Sequence, residues 1–219
     1  MKNDTAIHLL LVDDHKLLLD SLSEAIGREK DLEVVGQADN GREALVLAEK
    51  LRPDVIVMDI SMPELNGIEA TRQIIRQIPK QKILTLSMHA DKHYVMGMFR
   101  AGVAGYILKT NAFDELAFAI RQVHGGNFYV SPEITGVVVT SALEMTPEKA
   151  VAREGDLSSR EMEILQLIAE GKNSEYMADT LHISKRTVEI HRQNLRKKLG
   201  LNTVAELTRY AVKIGIVSL

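Results

Sequence analysis

Five short apolar runs, each followed by an amphipathic stretch of helical period, constrain this chain more than any other feature. IHLLLV (7–12), LEVVGQA (32–38), DVIVMD (54–59), KILTLS (82–87) and GYILK (105–109) are rich in Val, Ile and Leu. They do not alternate with polar residues, which is the pattern of strands covered on both faces. Helical spacing follows them at about 15–27, 41–51, 66–77, 91–101 and 112–124. Such β-then-α units predict an α/β fold: a doubly wound, five-stranded parallel sheet with right-handed crossovers and helices on both faces. The rhythm stops at Gly125-Gly126. SPEITGVVVTSALE, beginning with the Ser-Pro pair that suits a helix N-terminus, predicts one helix within a linker at 126–156. The polar TPEKAVAREGD after it has linker composition.

From Leu157 four helical patterns run without a strand, at about 158–170, 173–181, 184–198 and 202–214. Gly171 is placed as a C-cap, Ser184 as an N-cap and Gly200 as the stop of the third helix. The second and third patterns, joined around HIS (182–184), match a helix-turn-helix. Two domains are therefore expected, 1–125 and 157–219, the second an all-α four-helix unit.

Composition removes several function classes. With no cysteine, neither a disulfide framework nor a thiolate nucleophile or metal site is available. No run approaches a membrane span, and MKNDTAIHLLLVDDHK is too short and acidic for a secretory signal, so a cytoplasmic protein with no membrane partner is expected. The net charge of −3 is unevenly spread: Leu157 to Leu219 hold ten Lys/Arg against seven Asp/Glu, leaving −6 for residues 1–156. An acidic front and a basic tail place any nucleic-acid contact in the tail.

VIVMDISMPELNG (55–67) ends an apolar run in Asp59. Taken singly, that acid would start a loop and bond its own backbone. Asp13 and Asp14, however, end the first strand as Asp59 ends the third, and in a doubly wound sheet these strands lie side by side at the switch point. Three converging carboxylates repel one another unless a cation neutralises them, and hard oxygen donors suit Mg²⁺, with Mn²⁺ as the alternative. Ser87 ends the fourth strand and Lys109 the fifth. A carboxylate nucleophile, a divalent cation, a hydroxyl and an ammonium together suffice for phosphoryl transfer.

VDDH, VMDISMPELNGIEA, LS and GYILK resemble the flavodoxin-like receiver domain of bacterial two-component response regulators over about residues 6–125. The resemblance implies that Asp59 accepts a phosphoryl group from a sensor histidine kinase or a small phosphodonor. It further implies that Asp14 binds Mg²⁺ with help from Asp13 and the Ser61 backbone carbonyl. Ser87 and Lys109 would contact the phosphoryl oxygens, and Tyr106 would turn inward as Ser87 is drawn in. Pro63 and Gly67 would shape the loop after Asp59, Gly67 by its conformational freedom. Two departures stand out: Thr110 follows Lys109 where receivers commonly have proline, and Met88 follows Ser87 where a small residue is usual.

LSSRE, the EG turn, HISKRTVEIHR and KKLG resemble the C-terminal DNA-binding domain of NarL/FixJ-type, LuxR-like regulators over about 157–217. Helix 184–198 would then be the recognition helix, with Val188, Leu195 and Leu199 on its inner face. Lys185, Arg186, His191, Arg192 and Lys197 are candidates for DNA phosphate contacts, and Glu189, Ile190 and Gln193 for base edges. Many relatives carry lysine at the place of Glu189; a glutamate accepts from cytosine N4 instead, so a different operator is expected. Val204 and Leu207 on the last helix are candidates either for a homodimer contact, formed on phosphorylation, or for packing within the domain. His89 and His93, four apart, read as surface histidines, with no third ligand to complete a metal site.

The combined expectation is a transcription regulator whose unphosphorylated receiver hinders DNA binding, by covering helix 184–198 or withholding dimerisation. Two rivals remain. One is a DNA-binding regulator with a vestigial receiver. The other is an aspartyl-phosphate hydrolase, disfavoured because Ser61 stands where such an enzyme needs a second acid.

Overall fold

In the computed structural model, which describes residues 6–144 and 157–217, all five apolar runs are strands of one parallel sheet: β1 (Ile7–Val12), β2 (Leu32–Ala38), β3 (Val55–Met58), β4 (Lys82–Ser87) and β5 (Gly105–Leu108). Successive residues of each strand feed opposite cores, which explains the missing alternation. Leu10, Val12, Ile56, Met58 and Ile83 face one side with α2 (Gly41–Leu51), α3 (Gly67–Gln77) and α4 (Lys92–Ala101). Leu9, Leu11, Val55, Val57, Leu84 and Ile107 face the other, with α1 (Lys16–Ile26) and α5 (Ala112–His124).

The expected five strands have a sixth neighbour. β6 (Tyr129–Val130) pairs in parallel with β5, giving the order β2-β1-β3-β4-β5-β6. Two residues are too few to carry a periodic signal, so this strand was invisible in the sequence. It leads into α6 (Pro132–Leu143), the helix expected from SPEITGVVVTSALE. α6 packs against α4, with Ile134 fully buried and Val137 and Val138 lying on the same core. The chain divides into two compact units between Glu144 and Met145. The TPEKAVAREGD segment (146–156) lies outside the described residues.

The second unit holds α7 (Ser159–Ala169), α8 (Ser174–Leu181), α9 (Lys185–Leu199) and α10 (Val204–Lys213). LSSRE acts as a capping box: Ser158 accepts from the Glu161 backbone N–H, and the Glu161 carboxylate accepts from that of Ser158. Thr203 and Glu206 repeat the device at α10. His182, at φ 52°, ends α8 in the left-handed region and turns the chain towards α9, whose N-cap is Ser184. Gly200, at φ 66°, ends α9 as expected. Ile164, Leu167, Ile168, Met177, Leu181, Val188 and Leu195 form the core of the unit.

Candidate functional site

Val12 is in register with Met58, so β1 and β3 release their acids at the same level of the rim. The Asp59 N–H donates to the Val12 carbonyl (2.9 Å) and that of Asp13 to Ala38 (3.1 Å), which fixes both carboxylates at the sheet edge. Asp13 is 2% and Asp59 3% exposed. Lys109, from the end of β5, places Nζ 2.6 Å from Asp13 Oδ2 and 3.0 Å from Asp59 Oδ2. Asp14 stands further out, its Oδ1 2.8 Å from His15 Nδ1. His15, which in the sequence only opens the 15–27 helical pattern and in the structure is the N-cap of α1, is a further participant at the rim. Its backbone N–H donates to Asp13 Oδ1 (3.0 Å), and Nδ1 lies 3.1 Å from the same oxygen.

Burial pushes the Asp59 carboxyl up to about 6; Lys109 opposes this and Asp13 adds to it. Burial works against the Lys109 ammonium, but Asp59 and Asp13 outweigh it and hold its pKa above the ordinary lysine value. One ligand atom each from Asp13, Asp14, His15 and Asp59 lies within 4.8 Å of all the others. Asp13 Oδ2 meets the Lys109 ammonium as a close ion pair at 2.6 Å. Acids this close, one of them with its anion disfavoured by burial, fit a hard divalent cation that would offset their charge.

The loop after Asp59 explains its glycine differently from the expectation. A Cβ on Gly67 would stand 1.8 Å from the Asp59 carbonyl oxygen and 3.0 Å from Ile60 Cα. Clearance for the backbone of the acid itself, rather than a left-handed conformation, requires glycine there. The Gly67 N–H donates to the Ile60 carbonyl (2.8 Å), closing the loop.

Ser87 and Tyr106 are both fully buried. The Ser87 hydroxyl oxygen accepts from the His89 N–H (3.2 Å), and the Tyr106 hydroxyl donates to the His89 carbonyl (2.6 Å). The ring expected to turn inward already lies inside, stacked on Phe99, and burial pushes its phenol well above the usual range. His89 is not a free surface histidine. Its Nε2 lies 2.8 Å from Ser61 Oγ, and its ring stacks on Tyr94 at 4.0 Å. Met88 points outward, 65% exposed. Lys109–Asn111 form a 3-10 turn, and no cis peptide occurs among the described residues.

On α9 the outer residues Lys185, Arg186, Gln193 and Lys197 are exposed, and Ile190 is half exposed. His191 is partly covered. Arg192 is turned to the seam with α8, its side chain 17% exposed and its Nη1 3.6 Å from Glu189 Oε1. On α10, Val204 is 47% exposed, whereas Leu207 is fully buried in the unit's own core. Of the two, only Val204 lies on the surface. No helix among the described residues is long and apolar enough to cross a membrane.

Comparison with known proteins matches residues 9–121 to the response regulator receiver domain and residues 156–211 to the luxR family of bacterial regulatory proteins. The transcriptional regulatory protein MctR of Rhizobium johnstonii is 38% identical over 97% of this chain and 96% of its own length. The transcriptional regulatory protein LiaR of Bacillus subtilis is 37% identical over 97% of this chain and all of its own. Among solved structures, the RcsB response regulator of Salmonella typhimurium aligns with a TM-score of 0.63 at 22% identity, over 96% of this chain and 98% of that one. RcsB has also been solved in complex with DNA.

Proposed function

The chain belongs to the bacterial response regulators that join a receiver domain to a luxR-family domain, and from that premise we propose that Asp59 is its phosphoacceptor and α9 its DNA-reading helix. The observation that carries the first half is the Lys109 ammonium bridging two buried carboxylates, Asp13 and Asp59, at the carboxyl ends of β1 and β3. Surface acids and a structural lysine have no reason to share so confined a place.

Asp59 attacks the phosphorus of the donor, a phosphohistidine on a partner sensor kinase or a small acyl phosphate. The new O–P bond forms as the bond to the leaving group breaks, and the leaving group keeps the electron pair. Lys109 is positioned to hold two of the charges apart and to follow the incoming phosphoryl oxygens. Ser87 supplies a hydroxyl for another oxygen once its contact with His89 is exchanged. Mg²⁺, or Mn²⁺ by the same chemistry, would be held by Asp13, Asp14, Asp59 and the Ser61 carbonyl and would offset the accumulated negative charge. Because Tyr106 is already inside, phosphorylation acts by deepening an arrangement of β5 and α4 that exists beforehand.

The output follows from the tail. Lys185, Arg186, Lys197 and His191 are placed to position the protein on phosphates, and Glu189, Ile190 and Gln193 to meet base edges in the major groove. Val204 is the surface apolar residue of α10 available to a second copy in a phosphorylated homodimer. Kinase and double-stranded DNA are both cytoplasmic partners, which fits a cytoplasmic protein. Two measurements test this. Intact mass after treatment with acetyl phosphate and Mg²⁺ should rise by one phosphoryl group in the natural protein and stay unchanged in Asp59→Ala. The same treatment should strengthen protection of specific genomic DNA sites. An unchanged mass in the natural protein would remove the phosphoacceptor role, and protection indifferent to the donor would leave a regulator with a vestigial receiver.

A further inference from the structure

Ser174, the first residue of α8, is 9% exposed and sits between two side chains of α9 that are one turn apart. Its hydroxyl donates to Glu189 Oε1 and accepts from Arg192 Nη1 (2.6 Å). The same Nη1 lies 3.6 Å from Glu189 Oε1, which closes a triangle of acid, hydroxyl and guanidinium across the two helices. Its two charged members differ in placement: the Arg192 side chain is 17% exposed, the Glu189 side chain 56%. No described contact takes Glu189 Oε2.

We propose that Ser174 is a specificity-determining positioning residue, which holds Glu189 as a fixed acceptor on the reading face of α9 and keeps Arg192 away from the DNA phosphates. The inference rests on the DNA-binding reading above and deepens it. A lone glutamate facing DNA is repelled by the phosphates and free in several rotamers, so it reads bases poorly. Here one carboxylate oxygen is anchored by a hydroxyl and its charge is offset by Arg192. The other oxygen is left to accept from an exocyclic amino group, cytosine N4 or adenine N6. The same triangle occupies a cation that would otherwise bind phosphate at any sequence.

The test is selection from a random-sequence duplex pool by the full chain, treated with acetyl phosphate and Mg²⁺, in natural, Ser174→Ala and Ser174→Thr forms. In Ser174→Ala, preference at one base pair per half-site should relax by about tenfold. The salt dependence of binding should also steepen by about one counterion as Arg192 is released to a phosphate. Ser174→Thr, which keeps the hydroxyl, should restore both. A merely structural role would weaken binding to every sequence alike and leave the preference profile intact; that result would overturn the assignment, as would a Ser174→Ala profile identical to the natural one. A natural protein that selects no sequence at all would instead sink the DNA-binding reading and the inference with it. Glu189→Gln provides the check on folding: it removes the charge without changing size, and should relax preference at the same base pair as Ser174→Ala. Relaxation at a different base pair would count against the triangle.

Discussion

At the scale of single residues, the rim turns on charge and on clearance. Asp59 is the clearer case for charge. Its folded-state value of about 6 lies above the ordinary 3.8 because burial disfavours the anion. Between those values the folded chain binds a proton that the unfolded chain does not, so Asp59 subtracts stability as pH rises from about 4 to about 6. Relative to the natural protein, metal-free Asp59→Asn should therefore gain stability through that window and level off above it, by up to about 3 kcal/mol in urea titrations. Adding Mg²⁺ should shrink the difference, since the ion favours the charged form. Gly67 is the case for clearance. Gly67→Ala puts a methyl carbon into the Asp59 carbonyl, and should lower stability by about 3 kcal/mol while blocking phosphorylation, as read by denaturation and intact mass. Asp59 was singled out in the sequence because Asp13, Asp14, Ser87 and Lys109 end neighbouring strands with it, not by its own apolar run, which taken alone suits a loop. Three placements were not legible there: His15 against the acids, His89 against Ser61, and Arg192 folded onto Ser174. Each depends on a side-chain torsion towards a partner that periodicity does not reveal.

At the scale of elements, strand and helix positions followed hydrophobic period closely, and the boundaries followed caps. Asn40, Asn66, Ser158, Asn173, Ser184 and Thr203 all accept backbone N–H groups at helix starts. The extension after α5 shows where period fails. A helix near 132–143 was expected, but its partner was not legible, since α6 carries apolar residues around much of its surface and points to no single face. In the structure, the Ser131 N–H donates to the Tyr106 carbonyl (2.9 Å) and its hydroxyl to Glu115 (2.6 Å). These bonds tie β6 and α6 to β5 and α5, and Ile134 is fully buried on the core shared with α4. A fragment ending at residue 144 should therefore unfold at higher urea than one ending at 125. Burial of Ile134 alone accounts for about 2 kcal/mol of the difference. Equal midpoints for the two fragments would show that this extension adds nothing to the receiver.

At the scale of the whole molecule, the proposed function requires a linkage between the two units. An acidic unit whose Asp59 is proposed to accept a phosphoryl group and a basic unit holding α9 are of use together only if one alters the free energy of the other's binding. We expect phosphodonor to change the affinity of the full chain for its DNA site by about tenfold or more, in the range usual for such coupling. Removing residues 1–144 should abolish that response while the remaining unit still binds. A response that survived the removal would place the switch outside Asp59. The sequence by itself determined the order of the five long strands and their helices, the doubly wound sheet, the helical tail and which acids end which strands, though not the two-residue β6, because these are set by local period and by the few topologies that period allows. Tertiary structure alone decided that Tyr106 already lies inside, that Leu207 belongs to a core, that Gly67 is needed for room, and that Glu189 and Arg192 share one hydroxyl. Those outcomes depend on distances between atoms far apart along the chain, and such distances exist only once the backbone has closed around them.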